Sequence, residues 1–143
     1  METAFNLLRQ SCGMSFEETA EFLAKEAITI KHWCNGTEIA PQTARVELFK
    51  LTKRINKAAN KAIIAIHTAR KRAAQQNRPI ILSIAPNNME ARMRGWPFAS
   101  VHNAIARRVL ERLTPEMIAQ VKLAPYSADT RPIGGQSVTK YRH

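Results

Sequence analysis

Along the first forty residues the apolar positions recur at helical spacing in three short runs. Phe5, Leu8 and Cys12 fall at i, i+3 and i+7, so they share one face of a helix that Thr3 caps, that runs to about Ser11 and that Gly13 stops. Ser15-Phe16-Glu17-Glu18 has the S-x-x-E form of a capping box and opens a second helix through Leu23, with Thr19, Ala20 and Leu23 inward. A third, of about two turns, runs from Ala27 to Cys34 and ends at Asn35-Gly36, a pair suited to a left-handed C-cap.

The pattern then lengthens. Pro41 suits the first position of a helix whose apolar residues Val46, Leu48, Phe49, Leu51 and Ile55 keep helical spacing. No Gly or Pro occurs between Pro41 and Arg78, so the helix is expected to reach about Gln76, with a break near Asn56–Asn60 left open, before Pro79 ends it. Ile80-Ile81-Leu82-Ser83-Ile84 reads as a β-strand, Pro86-Asn87-Asn88 as a turn, and 91–94 as a short strand or irregular segment. Pro97 to Leu113 is helical again, with Val101, Ile105, Val109 and Leu113 four apart, and Thr114-Pro115-Glu116 starts a last short helix to about Leu123. From Pro125 onward there is no periodicity, and 125–143 reads as a flexible basic tail.

Charge changes the picture. The chain of 143 residues carries +11, and the excess is lopsided: residues 1–47 hold four Lys/Arg against seven Asp/Glu, while 48–143 hold eighteen against four. Between Glu47 and Glu90 lie nine basic residues and no acidic one. This points to a polyanionic partner met through phosphates. A basic helix on a membrane surface is the weaker reading, because 58–69 is rich in Ala and lacks interfacial Trp or Phe. No apolar run approaches the roughly 20 residues of a membrane span. The N-terminus has no secretory pattern and Cys12 and Cys34 are too few for a disulfide framework, so the expected location is the cytoplasm.

Enzyme chemistry finds little to use. His32, His67, His102 and His143 are scattered, Asp129 is the single aspartate, and Cys12, His32 and Cys34 would give a zinc ion three ligands without a fourth. The expectation is a protein without catalytic residues, metal or cofactor.

Residues 3–55 resemble the DNA-binding domain of the phage Cro and repressor (Xre-like) helix-turn-helix family. Met14 to Ala24 fits the family's second helix and Ile28 to Gly36 its third, without gaps, with Ala20 small at the helix crossing and Ala24 in the tight turn where the family usually has Gly. The resemblance implies a third helix lying in the major groove with Glu26, Ala27, Ile28, Lys31 and His32 at base edges. Lys31 and His32 can donate to guanine, and Ala27 and Ile28 can touch thymine methyls. Ser15 and Phe16 at the start of the second helix, with Thr29, Asn35, Thr37, Lys50, Lys53 and Arg54, would then meet phosphates. Two positions depart from the family: Cys34 stands where a Glu often pairs with a first-helix arginine such as Arg9, and Lys25 replaces a usual apolar residue.

The order of elements over about 3–113, with the Trp96, Val101, Ala104, Val109 pattern, is similar to the anti-CRISPR-associated and YdiL-like repressors, which implies a C-terminal homodimer. Ile80–Ile84 has no evident mate in its own chain, so a second copy is expected to pair with it. The expected dimerisation residues are Ile80, Ile81, Leu82, Ile84, Trp96, Phe98, Val101 and Ile105. The fold class that follows is mainly α: a helix-turn-helix bundle at 1–56, a basic helical connector at 57–78, a small α/β dimerisation part at 79–124, and the tail. The function that follows is a dimeric autorepressor binding an inverted repeat of double-stranded DNA in its own promoter. An RNA-binding or dual role, and an antitoxin-type role with a protein partner, stay open, because the basic stretch suits an RNA backbone equally well.

Overall fold

The computed structural model describes residues 2–72 and 77–125. It is mainly helical with a small parallel sheet: α1 Ala4–Ser11, α2 Phe16–Leu23, α3 Ala27–Asn35, α4 Gln42–Arg70, β1 Ile80–Ile84, α5 Asn88–Met93, α6 Ala99–Glu111, α7 Pro115–Ile118 and β2 Val121–Pro125. The chain divides into two compact units, Met1–Ile55 and Asn56–His143, with the division inside α4. The basic connector and the strand-plus-helix part therefore belong to one unit.

In the first unit the local signals act as the residues dictate. The Thr3 hydroxyl accepts from the Asn6 amide at 3.1 Å, capping α1. Ser15 and Glu18 close the capping box of α2 from both sides. Phe5, Met14, Ala20, Ile30, Trp33, Leu48, Leu51 and Ile55 are buried, and Phe5 meets Trp33 edge to face at 5.7 Å. Burying each of the large side chains contributes about 1.5–3 kcal/mol relative to exposure. Val46 and Phe49, expected on the apolar face, are instead 40% and 51% exposed. At 100° per residue they lie off the arc defined by Leu48, Leu51 and Ile55, and Lys53 Nζ stands 5.1 Å from the Phe49 ring.

The second unit departs more from expectation. α4 shows no break at Asn56–Asn60 and ends at Arg70, short of the expected end near Gln76, where the Arg72 amide turns back to the Ala69 carbonyl at 3.2 Å; residues 73–76 and the tail beyond Pro125 lie outside the described residues. Residues 91–94, expected as a short strand or irregular segment, belong to helix α5 and its cap, because the Asn87 side chain accepts from the Glu90 amide at 2.9 Å and starts a helix there. The last helix stops at Ile118 rather than near Leu123, and Val121–Pro125 forms a strand. β2 pairs in parallel with β1, from Ile80 with Val121 to Ile84 with Pro125. The expectation that β1 lacks a mate in its own chain is thus corrected. A parallel mate needs a long crossover, here α5 to α7, so it leaves no hairpin signal next to β1.

The core of this unit comprises Ile80 and Leu82 of β1, Ala91 of α5, Trp96, Phe98, and Val101, Ala104, Ile105 and Val109 of α6. Asn88 Oδ1 accepts from the Ala99 amide at 2.9 Å, supplying the cap that Phe98 cannot. Asn56 Oδ1 accepts from Arg108 Nε at 2.8 Å, and Asn60 Oδ1 accepts from Arg112 one turn further on, fastening α6 to α4.

His102 is 1% exposed and neither ring nitrogen has a hydrogen-bond partner. Burial, with the Arg94 charge nearby, lowers its pKa from 6.5 to about 4. The folded protein keeps this imidazole neutral while the unfolded chain takes up a proton below about 6.5, so the unfolded state gains as the pH falls through that window. Stability is expected to drop by up to about 3 kcal/mol between pH 6.5 and 4 from this group. Urea titrations of wild type and His102→Leu across that range check it: the variant should lose less stability on acidification, and parallel curves would remove His102 as the cause.

Candidate nucleic-acid interface

Only Ala24, Lys25 and Glu26 separate α2 from α3. So short a turn requires a left-handed residue, and Ala24 takes that conformation with φ 56° and ψ 48°, the one non-glycine positive φ among the described residues. Its amide donates back to Glu21 and the Lys25 amide donates to the Ala20 carbonyl at 2.8 Å. At the far end α3 stops on Gly36, whose φ of 86° suits glycine. The Thr3 hydroxyl that caps α1 also donates to the Cys34 carbonyl at 2.8 Å, with the Trp33 carbonyl at 3.2 Å. One side chain therefore satisfies an N-terminal donor of α1 and a C-terminal acceptor of α3.

With Ile30, Trp33 and Cys34 buried, the opposite face of α3 is turned outward. Lys31 is exposed, Ile28 is 53% exposed, Ala27, Thr29 and His32 are half-buried, and Glu26 is exposed at the N-cap without a side-chain capping bond. Lys31 Nζ lies 5.8 Å from the Phe16 ring and Arg9 lies 4.3 Å from it, so this ring joins residues of α1, α2 and α3. His32 Nδ1 is 3.5 Å from the Glu38 carboxylate. Arg9 donates to Asn6 Oδ1, at 2.9 and 2.7 Å, and to the Met14 carbonyl at 2.7 Å. Burial raises the pKa of the Cys34 thiol, and Arg9 partly opposes that.

The residues expected at phosphates are less uniform. The Ser15 amide donates to Glu18, so only its hydroxyl hydrogen remains to give. Asn35 Oδ1 accepts from the Thr37 amide at 2.8 Å, and both residues are exposed. Lys50 is 3.7 Å from Glu47, Lys53 stands over Phe49, and Arg54 is exposed.

Of the expected dimerisation residues, Ile80, Leu82, Trp96, Phe98, Val101 and Ile105 are buried within the chain's own second unit, Ile84 is half-buried, and Ile81 is 54% exposed. Residues 1–55 contain seven basic and seven acidic side chains, whereas 56–143 contain fifteen and four, so the entire net charge lies beyond the first unit. Sequence reasoning missed the Arg9–Phe16–Lys31 assembly and the Asn56/Asn60–Arg108/Arg112 ladder. The i, i+4 repeat of each half is visible in the sequence, but not that two segments so far apart face each other.

Among the described residues no helix is long and apolar enough to cross a membrane, and no group of three or more His, Cys, Asp or Glu could hold a metal ion. No family model matches this chain, and no curated protein is significantly similar to it.

The backbone at Ala24 yields a direct expectation. A left-handed residue with a Cβ costs roughly 1–2 kcal/mol, part of which glycine gives back through its freer unfolded chain. Ala24→Gly should therefore stabilise the first unit by about 0.5–1 kcal/mol. Denaturant midpoints measure this, and a destabilised Gly variant would contradict the left-handed turn.

Proposed function

We propose that this protein is a sequence-specific DNA-binding regulator of the phage Cro and repressor helix-turn-helix kind, acting as a dimeric repressor on an inverted repeat in its own promoter. The observation that carries the reading is the α2–turn–α3 arrangement: a capped second helix, a three-residue turn with Ala24 left-handed, and a third helix that buries Ile30 and Trp33 while presenting Ala27, Ile28, Lys31 and His32. A helix held at both ends with one free face is what major-groove reading requires.

On this reading Lys31, steadied beside Phe16, donates to guanine, and His32 offers a ring nitrogen to the adjacent base. Ile28 supplies apolar contact for a thymine methyl. Glu26, at the start of α3, disfavours phosphates close to it and selects for bases that present an amine. The balanced charge of the first unit fits a module that contributes base discrimination more than bulk attraction.

Binding of the protein to its promoter fragment, measured against its own transcript at matched salt, tests the reading. Lys31→Ala and His32→Ala should each cost about 1–3 kcal/mol on the operator and relax preference at one base pair. Unchanged operator affinity in the double variant would overturn α3 as the reader, and tighter binding to the transcript would favour an RNA role.

The dimer rests on two supports now that β1 has an internal mate. A single recognition helix makes too few base contacts to find one operator in a genome, and two half-sites one DNA turn apart, about 34 Å, solve this. The second unit also leaves Ile81, Ile118 and Leu123 substantially exposed. Ile81→Glu should yield a folded monomer, whereas Leu82→Glu, at a residue 3% exposed, should unfold the unit. Sedimentation at micromolar concentration decides: a wild-type monomer would end the dimer, and with it the inverted repeat.

A further inference from the structure

We infer that the α4–α6 face of the second unit is a separate nucleic-acid contact, a site for the phosphate backbone of duplex DNA that reads no sequence. It is built around the two-rung ladder in which Asn56 and Asn60 of α4 accept from Arg108 and Arg112 of α6. Each pair is spaced i, i+4, so the rungs stand about 6 Å apart along the helices. Lys57 and Lys61 directly follow the two asparagines, about 100° further round α4, keep the same spacing and are exposed, as is Arg112.

The chemistry of the ladder is the informative part. Asparagine oxygens orient the guanidinium groups without cancelling their charge, as carboxylates in the same places would have done. Among the described residues Lys57, Lys61 and Arg112 make no ion pair, and Glu111 is the single acidic residue in α6 or in α4 beyond Ile55. Like charges at i, i+4 repel one another on a helix. That spacing at Lys57 and Lys61 is unfavourable for the free protein and becomes favourable once an anion of regular charge lies across the pair. Arg presents several N–H donors in a planar fork, so the exposed Arg112, bonded to Asn60, retains others for phosphate oxygens.

Duplex rather than single-stranded nucleic acid follows from what the face lacks. Single-strand sites stack bases on exposed aromatic rings. Trp96 and Phe98, the aromatic residues described in this unit, are 1% and 3% exposed. A face of cations that has no stacking platform among the described residues contacts backbone and leaves the bases alone.

The test uses the full chain and fluorescence anisotropy with a labelled duplex of random sequence, a single strand of the same length, and polyglutamate as competitor, at 50–200 mM salt. The variants are K57Q/K61Q/R112Q, the charge-retaining K57R/K61R/R112K, and K57E/K61E, which leaves the ladder intact. Three lost phosphate contacts should reduce the slope of log affinity against log salt by about 2.7, making the loss across this range some 40-fold smaller. The charge-retaining variant should bind like wild type, K57E/K61E should bind weakly, and the duplex should be preferred to both other polyanions. An unchanged slope in the neutralised variants, equal or tighter binding of the single strand, or equal competition by polyglutamate would overturn the inference. K31A/H32A, measured in parallel, should keep its random-duplex binding whatever it does to an operator, so failure of this site and failure of α3 as a reader are distinguishable.

Discussion

Three residues carry the chain from α2 into α3, and the left-handed backbone at Ala24 is what lets so short a turn close. Everything that follows in the first unit depends on it. A longer connection would leave the start of α3 free to slide, and Ile30 and Trp33 would no longer be held in the core. The Thr3 hydroxyl then fixes the other end by linking the last carbonyls of α3 to the first turn of α1. Between these anchors the exposed residues of α3 are set by rotation alone: burying Ile30, Trp33 and Cys34 turns Ile28 and Lys31 outward.

The two units divide the electrostatics unequally. The first is balanced and the remainder carries the whole excess, fifteen basic residues against four acidic. Counterion release scales with the number of phosphates neutralised, while discrimination between sequences comes from base edges. On the proposed reading, the first unit chooses where the protein binds and the second contributes to how tightly it holds any duplex. The salt dependence of the two should then differ, since a neutral recognition module adds little to the slope.

Closure of β1 by β2 reshapes the second unit. The residues that would have been an interface become a core, because once Val121–Pro125 lies beside Ile80–Ile84 the α6 side chains can fill the space around a single chain. His102 and Arg94 are buried in that core, and a polar ring without partners in such a place makes the unit sensitive to acid rather than adding to its stability. Any contact with a second copy falls to exposed residues such as Ile81.

What the sequence determined by itself was local. Thr3, Ser15 with Glu18 and Asn35-Gly36 each act within one helical turn, through a cap, and Ile80–Ile84 is a short run rich in β-branched residues, so the helices at 4–11, 16–23 and 27–35 and the strand at 80–84 could be read directly. The candidate face of α3 was legible for the same reason, since periodicity separates Ile30 and Trp33 from Lys31. Asn87 and Glu90 also carried the cap of α5, and the alternation of Val121, Lys122 and Leu123 carried a strand, but each signal competed with a stronger neighbour. Tertiary structure decided the rest: the length of α7, the mate of β1, the exposure of Val46 and Phe49, the partners of Arg9, and the meeting of Asn56 and Asn60 with Arg108 and Arg112. These depend on segments tens of residues apart finding one another, and the free energy that joins them comes from surfaces that exist only once the chain has folded.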